Sequence, residues 1–83
     1  ILICNTGIGM SIAANRFKGI RAALCYNSEY AVLAKKHNDA NILIFGSSYI
    51  KSDEAISSTK EFLATKFEKG RHTQRINLID TLK

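Results

Sequence analysis

Three short apolar segments most constrain the fold of this sequence. They are residues 1–3, 20–25 and 41–46, and a stretch with helical spacing follows each one. None of the three alternates regularly between apolar and polar residues, which indicates strands that are covered on both faces, as in parallel sheets. The order βαβαβα therefore predicts an α/β fold with a parallel sheet.

The helices between these strands are predicted from apolar spacing and from end signals. Residues 8–16 form the first helix, with Ile8 and Ile12 facing inward. Asn27 or Ser28 caps a second helix that runs to Lys36, and residues 37–40 form a polar connection. The apolar side of the second helix is formed by Ala31, Leu33 and Ala34.

The longest predicted helix begins at residues 52–54 with acidic side chains in its first turn and closes at Gly70. Its inward positions are Ala55, Ile56, Thr59, Phe62, Leu63 and Phe67. Residues 71–82 add a final short helix. The complete pattern predicts a Rossmann-like three-layer sandwich, of which this chain is a βαβαβα portion with a C-terminal helix.

Length and composition exclude several classes of protein. Residues 1–83 suffice for one small domain, and no apolar run reaches the roughly 18–20 residues of a membrane span. The net charge of +5 is spread along the chain without interleaved aromatic residues, which argues against nucleic-acid binding. Cys4 and Cys25 lack zinc-ligand spacing, so we expect no metal site and a cytoplasmic protein with free thiols. The chain starts inside a strand without Met, and we expect it to be the C-terminal part of a longer protein.

The segment after the first strand combines a thiol with a glycine-rich turn. Cys4 is followed by Gly7 and Gly9 and then by a predicted helix, an arrangement that aims backbone N–H groups at an anion. The same N–H groups would favour the thiolate of Cys4. A buried, inert cysteine is the alternative. Ile12 stands where the dinucleotide-binding fingerprint requires its third glycine, which argues against that function.

In a parallel sheet the residues that follow the strands lie at one edge. This predicts that residues 4–9, 26–28 and 46–48 lie close together. His37 precedes a strand, so it belongs at the opposite edge unless it folds back or reaches the site of a neighbouring subunit. Arg71 and Arg75 are spaced i,i+4 on one helix face, which suits either a phosphate or plain solvent exposure.

Four segments, taken in order, resemble the ribose-5-phosphate isomerase B and galactose-6-phosphate isomerase family. They are Cys-Asn-Thr-Gly-Ile-Gly-Met-Ser-Ile-Ala-Ala-Asn (4–15), Gly-Ile-Arg-Ala-Ala (19–23), His-Asn-Asp-Ala-Asn (37–41) and Gly-Arg-His-Thr-Gln-Arg (70–75). The resemblance implies isomerisation of an aldose phosphate to a ketose phosphate, with ribose 5-phosphate as the first candidate substrate. It also implies a homodimer or homotetramer with shared active sites, and no metal or organic cofactor.

The resemblance also implies roles for individual residues. Cys4 is the base that moves a proton between C1 and C2, and Thr6 is a catalytic residue beside it. His37 opens the sugar ring as an acid and base. The substrate-binding residues are Asn5, Gly7, Ile8 and Gly9, which line an anion hole for the enediolate, together with Asn38, which binds a hydroxyl, and Arg71 and Arg75, which bind the phosphate.

The sequence departs from the family pattern at three places. Asn5 stands where the family usually has glycine, and Ser48 stands where a phosphate-binding arginine is often found. The Asp-His pair of the family's first strand belongs to a half that is absent here, so we expect residues 1–83 alone to be inactive. Two alternatives remain at this point: a phosphotransferase IIB-like domain with phosphorylated Cys4, and an inactive remnant of the isomerase.

Overall fold

A three-stranded parallel sheet with four helices forms the fold. The structure is a computed structural model that describes residues 1–82. In chain order the elements are β1 (Leu2–Cys4), α1 (Ile8–Ala14), β2 (Ala22–Leu24), α2 (Ser28–Asn38), β3 (Ile42–Gly46), α3 (Ser52–Ala64) and α4 (Arg71–Asp80). The strand order is β1-β3-β2, with every pair parallel. The predicted Rossmann-like α/β fold is therefore confirmed.

The central strand β3 is the core of the sheet. Leu43, Ile44 and Phe45 are each at most 2% exposed. Successive residues of a strand point to opposite faces. Leu43 and Phe45 belong to one apolar cluster with Ala31 of α2 and Phe62 of α3, so Ile44 points to the other face.

The helices lie on both faces of the sheet. The connection from β1 to β2 passes over β3 in one direction, and the connection from β2 back to β3 runs in the other. Since such crossovers are right-handed, α1 and α2 lie on opposite faces. Accordingly, α1 contacts all three strands, while α2 packs against α3.

Coverage of the sheet is less complete at β1 than the apolar pattern predicted. Ile3 is the register partner of Phe45 and points to the same face, yet it is 56% exposed whereas Phe45 is 2% exposed. The α2–α3 pair lies over β2 and β3 and does not extend to this edge. The expectation of two covered faces is thus wrong for β1.

The inward face of α1 also differs from the prediction. Ile8 and Ile12 are 54% and 59% exposed. The buried positions are Gly7 and Ala14, with Ser11 half-buried between them, so the face at i, i+4 and i+7 meets the sheet. Each isoleucine follows one of these inward positions by one residue, which turns it about 100° away from the sheet.

The second helix begins as predicted and ends later. Asn27 is the N-cap, and its Oδ1 accepts a hydrogen bond from the N–H of Tyr30 at 3.0 Å. The helix continues through His37 and Asn38 to a left-handed cap at Asp39, so the predicted polar connection there is wrong. Leu33, predicted to face inward, is 38% exposed, whereas Ala31 is fully buried.

The third helix ends six residues before Gly70, at Ala64. Thr65 is extended, and the N–H of Glu68 donates to the carbonyl of Lys36, which ties the segment to the end of α2. Gly70, with φ of 61°, instead precedes α4 as its N-cap. The buried face of α3 is formed by Ser58 and Phe62, while Ile56 and Leu63 are exposed, contrary to the prediction.

Arg21 joins three elements at the amino-terminal edge of the sheet. Its Nε donates to the carbonyl of Asp39 at 2.9 Å, and its guanidinium lies 3.3 Å from the Asp39 carboxylate. The same guanidinium is 3.1 Å from the carboxylate of Asp80 in α4. This arrangement holds the last turn of α4 against the end of α2. Within residues 1–82, no helix has the length and apolar character that crossing a membrane requires.

Gly46 allows the loop after β1 to pack directly on the end of β3. A Cβ at Gly46 would overlap the backbone of Thr6, which cannot move without displacing the loop. We therefore expect Gly46→Ala to lower the free energy of unfolding by about 2–3 kcal/mol, measured by chemical denaturation.

Gly9→Ala is the matched control for this substitution. Gly9 lies in α1 and a Cβ there meets nothing within 4 Å, so the change is expected to be neutral or to stabilise by about 0.5 kcal/mol. Equal unfolding energies for the two variants would contradict the role assigned to Gly46.

Candidate functional site

Cys4 ends β1 at the carboxyl edge of the sheet. Its register partner is Gly46, the last residue of β3, and the next residues, Asn5 and Thr6, form a bend over that strand end. Gly7 then adopts φ of 81° as the N-cap of α1. A side chain at Gly7 would be strained at this φ and would overlap Leu24 of β2, so only glycine fits.

Backbone N–H groups surround the thiol of Cys4. The N–H of Gly7 donates to Sγ at 3.2 Å. The pKa of Cys4 is lowered chiefly by the N–H of Met10; partial desolvation opposes this, and the N–H groups of Gly7, Thr6 and Gly9 add to the lowering. The predicted preference for the thiolate therefore has a geometric basis, since these donors stabilise negative charge on sulfur.

Thr6 lies on the same loop and is half-buried. Its Oγ1 accepts a hydrogen bond from the N–H of Ile8 at 3.2 Å, so its hydroxyl hydrogen is not used in that bond. The hydroxyl can therefore donate to an oxygen that binds beside Cys4. Ile8 and Gly9, also predicted as site residues, form the first exposed turn of α1.

The second cysteine has different properties. Cys25 follows β2 and is 2% exposed within the apolar cluster on the α2–α3 face. Burial raises its pKa to about 11, which keeps it a neutral thiol. Both cysteines are free thiols. The thiol of Cys4 is activated, and the thiol of Cys25 is inert.

A second group of predicted residues lies at the other end of α2. His37 is in the last turn of that helix, and its ring stacks on the ring of His72 in α4 with centroids 4.4 Å apart. The Nε2 of His72 is 3.4 Å from the carboxylate of Glu68. Arg71 and Arg75 lie on the exposed side of α4, and Asn38 is the exposed last residue of α2.

His72 belongs to this cluster, although no role was predicted for it from the sequence. It is 5% exposed, and within residues 1–82 its Nε2 has no hydrogen-bond partner. The available signal was its place between two arginines of one motif, Arg71 and Arg75. The buried Nε2 therefore lies close to the Glu68 carboxylate without forming a hydrogen bond of good geometry.

The two groups do not meet within one chain. Helix α2 starts at the carboxyl edge, where Cys4 lies, and its 11 residues carry the chain roughly 15 Å toward the amino-terminal edge. His37 does not fold back, since its ring packs on α4. The structure thus brings Cys4, Asn5, Thr6, Gly7, Ile8 and Gly9 together at one edge and His37, Asn38, Arg71 and Arg75 at the other.

One cavity lies near the second group. It has a volume of about 260 Å³ and is lined by four alanines together with Asn15, Ile20, Arg21, Asn38 and Ile79. Cys4 does not line it. The cavity therefore belongs to the amino-terminal edge, beside the end of α2.

The side chains His37, Glu68 and His72 are close enough to be considered as metal ligands. Their ligand atoms lie within 4.8 Å of one another. However, the two imidazole rings are stacked with an interplanar angle of 16°, and a bound ion must lie near the plane of each ring that ligates it. Lys36 also forms an ion pair with Glu68 at 3.7 Å and supplies positive charge there. The arrangement does not fit a three-ligand cation.

Comparison with known proteins gives consistent results. A family model described as Ribose/Galactose Isomerase matches residues 1–79. A putative sugar phosphate isomerase of Rickettsia bellii is 55% identical over 80 residues, which cover 96% of this chain and 56% of that protein. Ribose-5-phosphate isomerase B of Escherichia coli is 45% identical over 83 residues, covering all of this chain and 56% of that enzyme.

Two solved structures are similar in fold and sequence. A ribose 5-phosphate isomerase from Thermotoga maritima superimposes with a TM-score of 0.94 at 49% identity, covering 98% of this chain and 57% of that one. The enzyme from Mycoplasma genitalium with bound ribulose-5-phosphate gives 0.92 at 41% identity, covering 95% and 53%. The chain therefore spans little more than half the length of these relatives.

The contrast between the two cysteines predicts selective alkylation. Iodoacetamide near neutral pH should modify Cys4 rapidly and Cys25 only after unfolding, as measured by peptide mass spectrometry. Because the pKa of Cys4 is lowered, its rate should rise with pH through a midpoint below that of an ordinary thiol. Cys25→Ala should retain the fast reaction, and Cys4→Ser should abolish it. Equal rates at the two cysteines would contradict this assignment.

Proposed function

Because the chain belongs to the ribose/galactose isomerase family, we propose that the protein carrying it interconverts an aldose phosphate and a ketose phosphate. Ribose 5-phosphate and ribulose 5-phosphate are the proposed pair, since the similar enzymes from three bacteria carry that name. The observation that carries the proposal is the position of the Cys4 thiol, whose Sγ accepts a hydrogen bond from the N–H of Gly7 at 3.2 Å in a loop whose N–H groups lower its pKa. A thiolate of this kind can act as a general base near neutral pH.

The proposed reaction transfers one proton between carbons. The thiolate of Cys4 removes the proton from C2 of the open-chain aldose, and the C1 carbonyl oxygen becomes the oxygen of an enediolate. Cys4 then returns the proton to C1. The hydrogen of the C2 hydroxyl moves to O1, which leaves a carbonyl at C2 and balances the reaction.

Donors near Cys4 support the charged intermediate. As the thiolate takes up the proton, negative charge moves from sulfur to the sugar oxygen. The loop that holds Asn5, Gly7, Ile8 and Gly9 offers preorganised backbone N–H groups in that region, and such donors are most effective when aimed at developing charge. Thr6 adds a hydroxyl whose hydrogen is available for the same oxygen.

The second group of residues is proposed to handle the ring and the phosphate. His37 would exchange a proton with the ring oxygen and the C1 hydroxyl as the sugar opens, because an imidazole can both donate and accept a proton. Arg71 and Arg75 would bind the phosphate, which does not react and whose binding energy orients the sugar. Asn38 would bind a hydroxyl group. None of these steps requires a metal or an organic cofactor.

Separation of the two groups by the length of α2 supports an active site shared between subunits. In this proposal Cys4 of one chain works with His37, Arg71 and Arg75 of a second copy in a homodimer or a larger assembly. Two-fold symmetry then gives two identical sites per dimer. Within residues 1–82, Cys4 and His37 lie at opposite edges of the sheet, and a second copy would bring them to one sugar.

Mixing two inactive variants tests the shared site. Cys4→Ala and His37→Ala should each lose nearly all isomerase activity in the natural full-length protein. In a heterodimer of the two variants, one site carries both intact residues and the other carries neither. Random assortment makes half of the dimers heterodimers, so co-expression should restore about a quarter of the wild-type activity.

The matched control combines both substitutions in one chain. Co-expression of two differently tagged copies of the double variant must give no activity, since no site then contains either residue. Absence of recovery in heterodimers isolated with two different affinity tags would contradict the shared site. A fully active Cys4→Ala variant would contradict the proposed mechanism itself.

Residues 1–83 alone are predicted to show no isomerase activity. Ile1 and Ile3 are 65% and 56% exposed at the β1 edge, and the chain spans only 56% of the Escherichia coli enzyme. We expect purified residues 1–83 to convert no ribose 5-phosphate in a coupled assay, while the full-length protein does. Appreciable turnover by the short chain would contradict this prediction.

A further inference from the structure

Asn5 and Ser48 meet across the carboxyl edge of the sheet. The Oγ of Ser48 donates a hydrogen bond to Oδ1 of Asn5. The backbone supports the same contact, since the N–H of Ser48 donates to the carbonyl of Asn5 at 3.0 Å and the N–H of Ser47 donates to the carbonyl of Cys4 at 2.8 Å. The segments that follow β1 and β3 are therefore fastened together for two residues beyond the sheet.

This contact fixes the orientation of the Asn5 carboxamide. A carboxamide carries its oxygen and its NH₂ group on one carbon, so an oxygen held by Ser48 directs Nδ2 away from Ser48. Within residues 1–82, Nδ2 of Asn5 makes no hydrogen bond, and the side chain is exposed. The residue that follows Cys4 thus carries two N–H donors that have no partner within residues 1–82.

Two backbone donors near the thiol already have partners within the loop. The N–H of Gly7 donates to Sγ of Cys4, and the N–H of Ile8 donates to Thr6. Nδ2 of Asn5 is different. It belongs to the residue that follows Cys4, and the hydrogen bond that orients its carboxamide, from Ser48, does not involve the sulfur. It suits an acceptor oxygen of a molecule that reacts at Cys4.

We propose that the Asn5 carboxamide binds an oxygen of the reacting sugar and that Ser48 is the positioning residue that holds it in place. This proposal rests on the proposed function, since the ligand is the substrate of Cys4. It adds a side-chain contact to the backbone groups of the loop.

Steady-state kinetics of the natural full-length protein test the role of Asn5. Asn5→Gly removes both donors and should lower kcat/KM about tenfold to a hundredfold. Asn5→Asp keeps an acceptor for Ser48 but has no N–H donor, and its charge repels the enediolate, so it should lose at least as much. Wild-type kcat/KM in Asn5→Gly would overturn the proposal.

Ser48 is tested by its coupling to Asn5. Ser48→Ala should lower kcat/KM about threefold to tenfold, and Ser48→Thr, which keeps the hydroxyl, should restore most of the loss. In the Asn5→Gly background, Ser48→Ala should have no further effect, because its partner is gone. Ser47→Ala is the matched control, since its side chain makes no hydrogen bond within residues 1–82, and it should keep wild-type kinetics. An equal effect of Ser48→Ala in both backgrounds would overturn the positioning role.

Binding of a sugar-phosphate hydroxamate, which imitates the enediolate, gives a second measurement by calorimetry. Asn5→Gly should weaken its affinity by the same factor as kcat/KM, and unchanged affinity would overturn the proposal. If the wild type is active and the Asn5→Gly variant is equally active, this inference alone is refuted. Absence of turnover by the wild type, or its persistence in Cys4→Ala, would refute the proposed function and with it this inference.

Discussion

Contact between the backbone of Thr6 and the bare Cα of Gly46 is the constraint on which the candidate site depends. It lets the loop after β1 lie on the end of β3, within reach of the N–H groups that lower the pKa of Cys4. Gly7 supplies the second requirement, a left-handed turn against Leu24 that starts α1. A side chain at either glycine would displace the thiol from its donors. The low pKa of Cys4 therefore depends on two glycines, Gly7 and Gly46, which let the loop pack against the sheet.

The sequence predicted those parts of the molecule that local patterns determine. Continuous apolar strands indicated the parallel sheet, and Asn27 was identified as one of two candidate caps. The end of α3 was missed because Phe67 continues the helical spacing, while a backbone hydrogen bond from Glu68 to the end of α2 redirects the chain. The exposure of Ile8 and Ile12 was missed because both faces of α1 carry apolar residues, and only packing on the sheet decides between them.

The sequence indicated the loop of the candidate site more clearly than the rest, and the roles of all these residues stay predictions. Cys4 stood out because a thiol, two glycines and a helix start follow one strand. The match to the isomerase family over residues 1–79 includes His37 and Arg71 and disfavours the phosphocysteine alternative, which used the loop alone. His72 carried no local signal beyond its motif, since its burial and its stacking on His37 arise from tertiary packing. The contact of Asn5 with Ser48 joins residues 43 positions apart, and no periodic pattern indicates it.

The position of β1 at the edge of the sheet affects the tendency of the chain to aggregate. Within residues 1–82 this strand pairs only with β3, so its outer edge presents unpaired backbone groups next to the exposed side chains of Ile1 and Ile3. Such an edge is a template on which another strand can add, and proteins usually protect it. Any segment that covers this edge would therefore favour solubility, because it would keep copies of the chain from joining edge to edge.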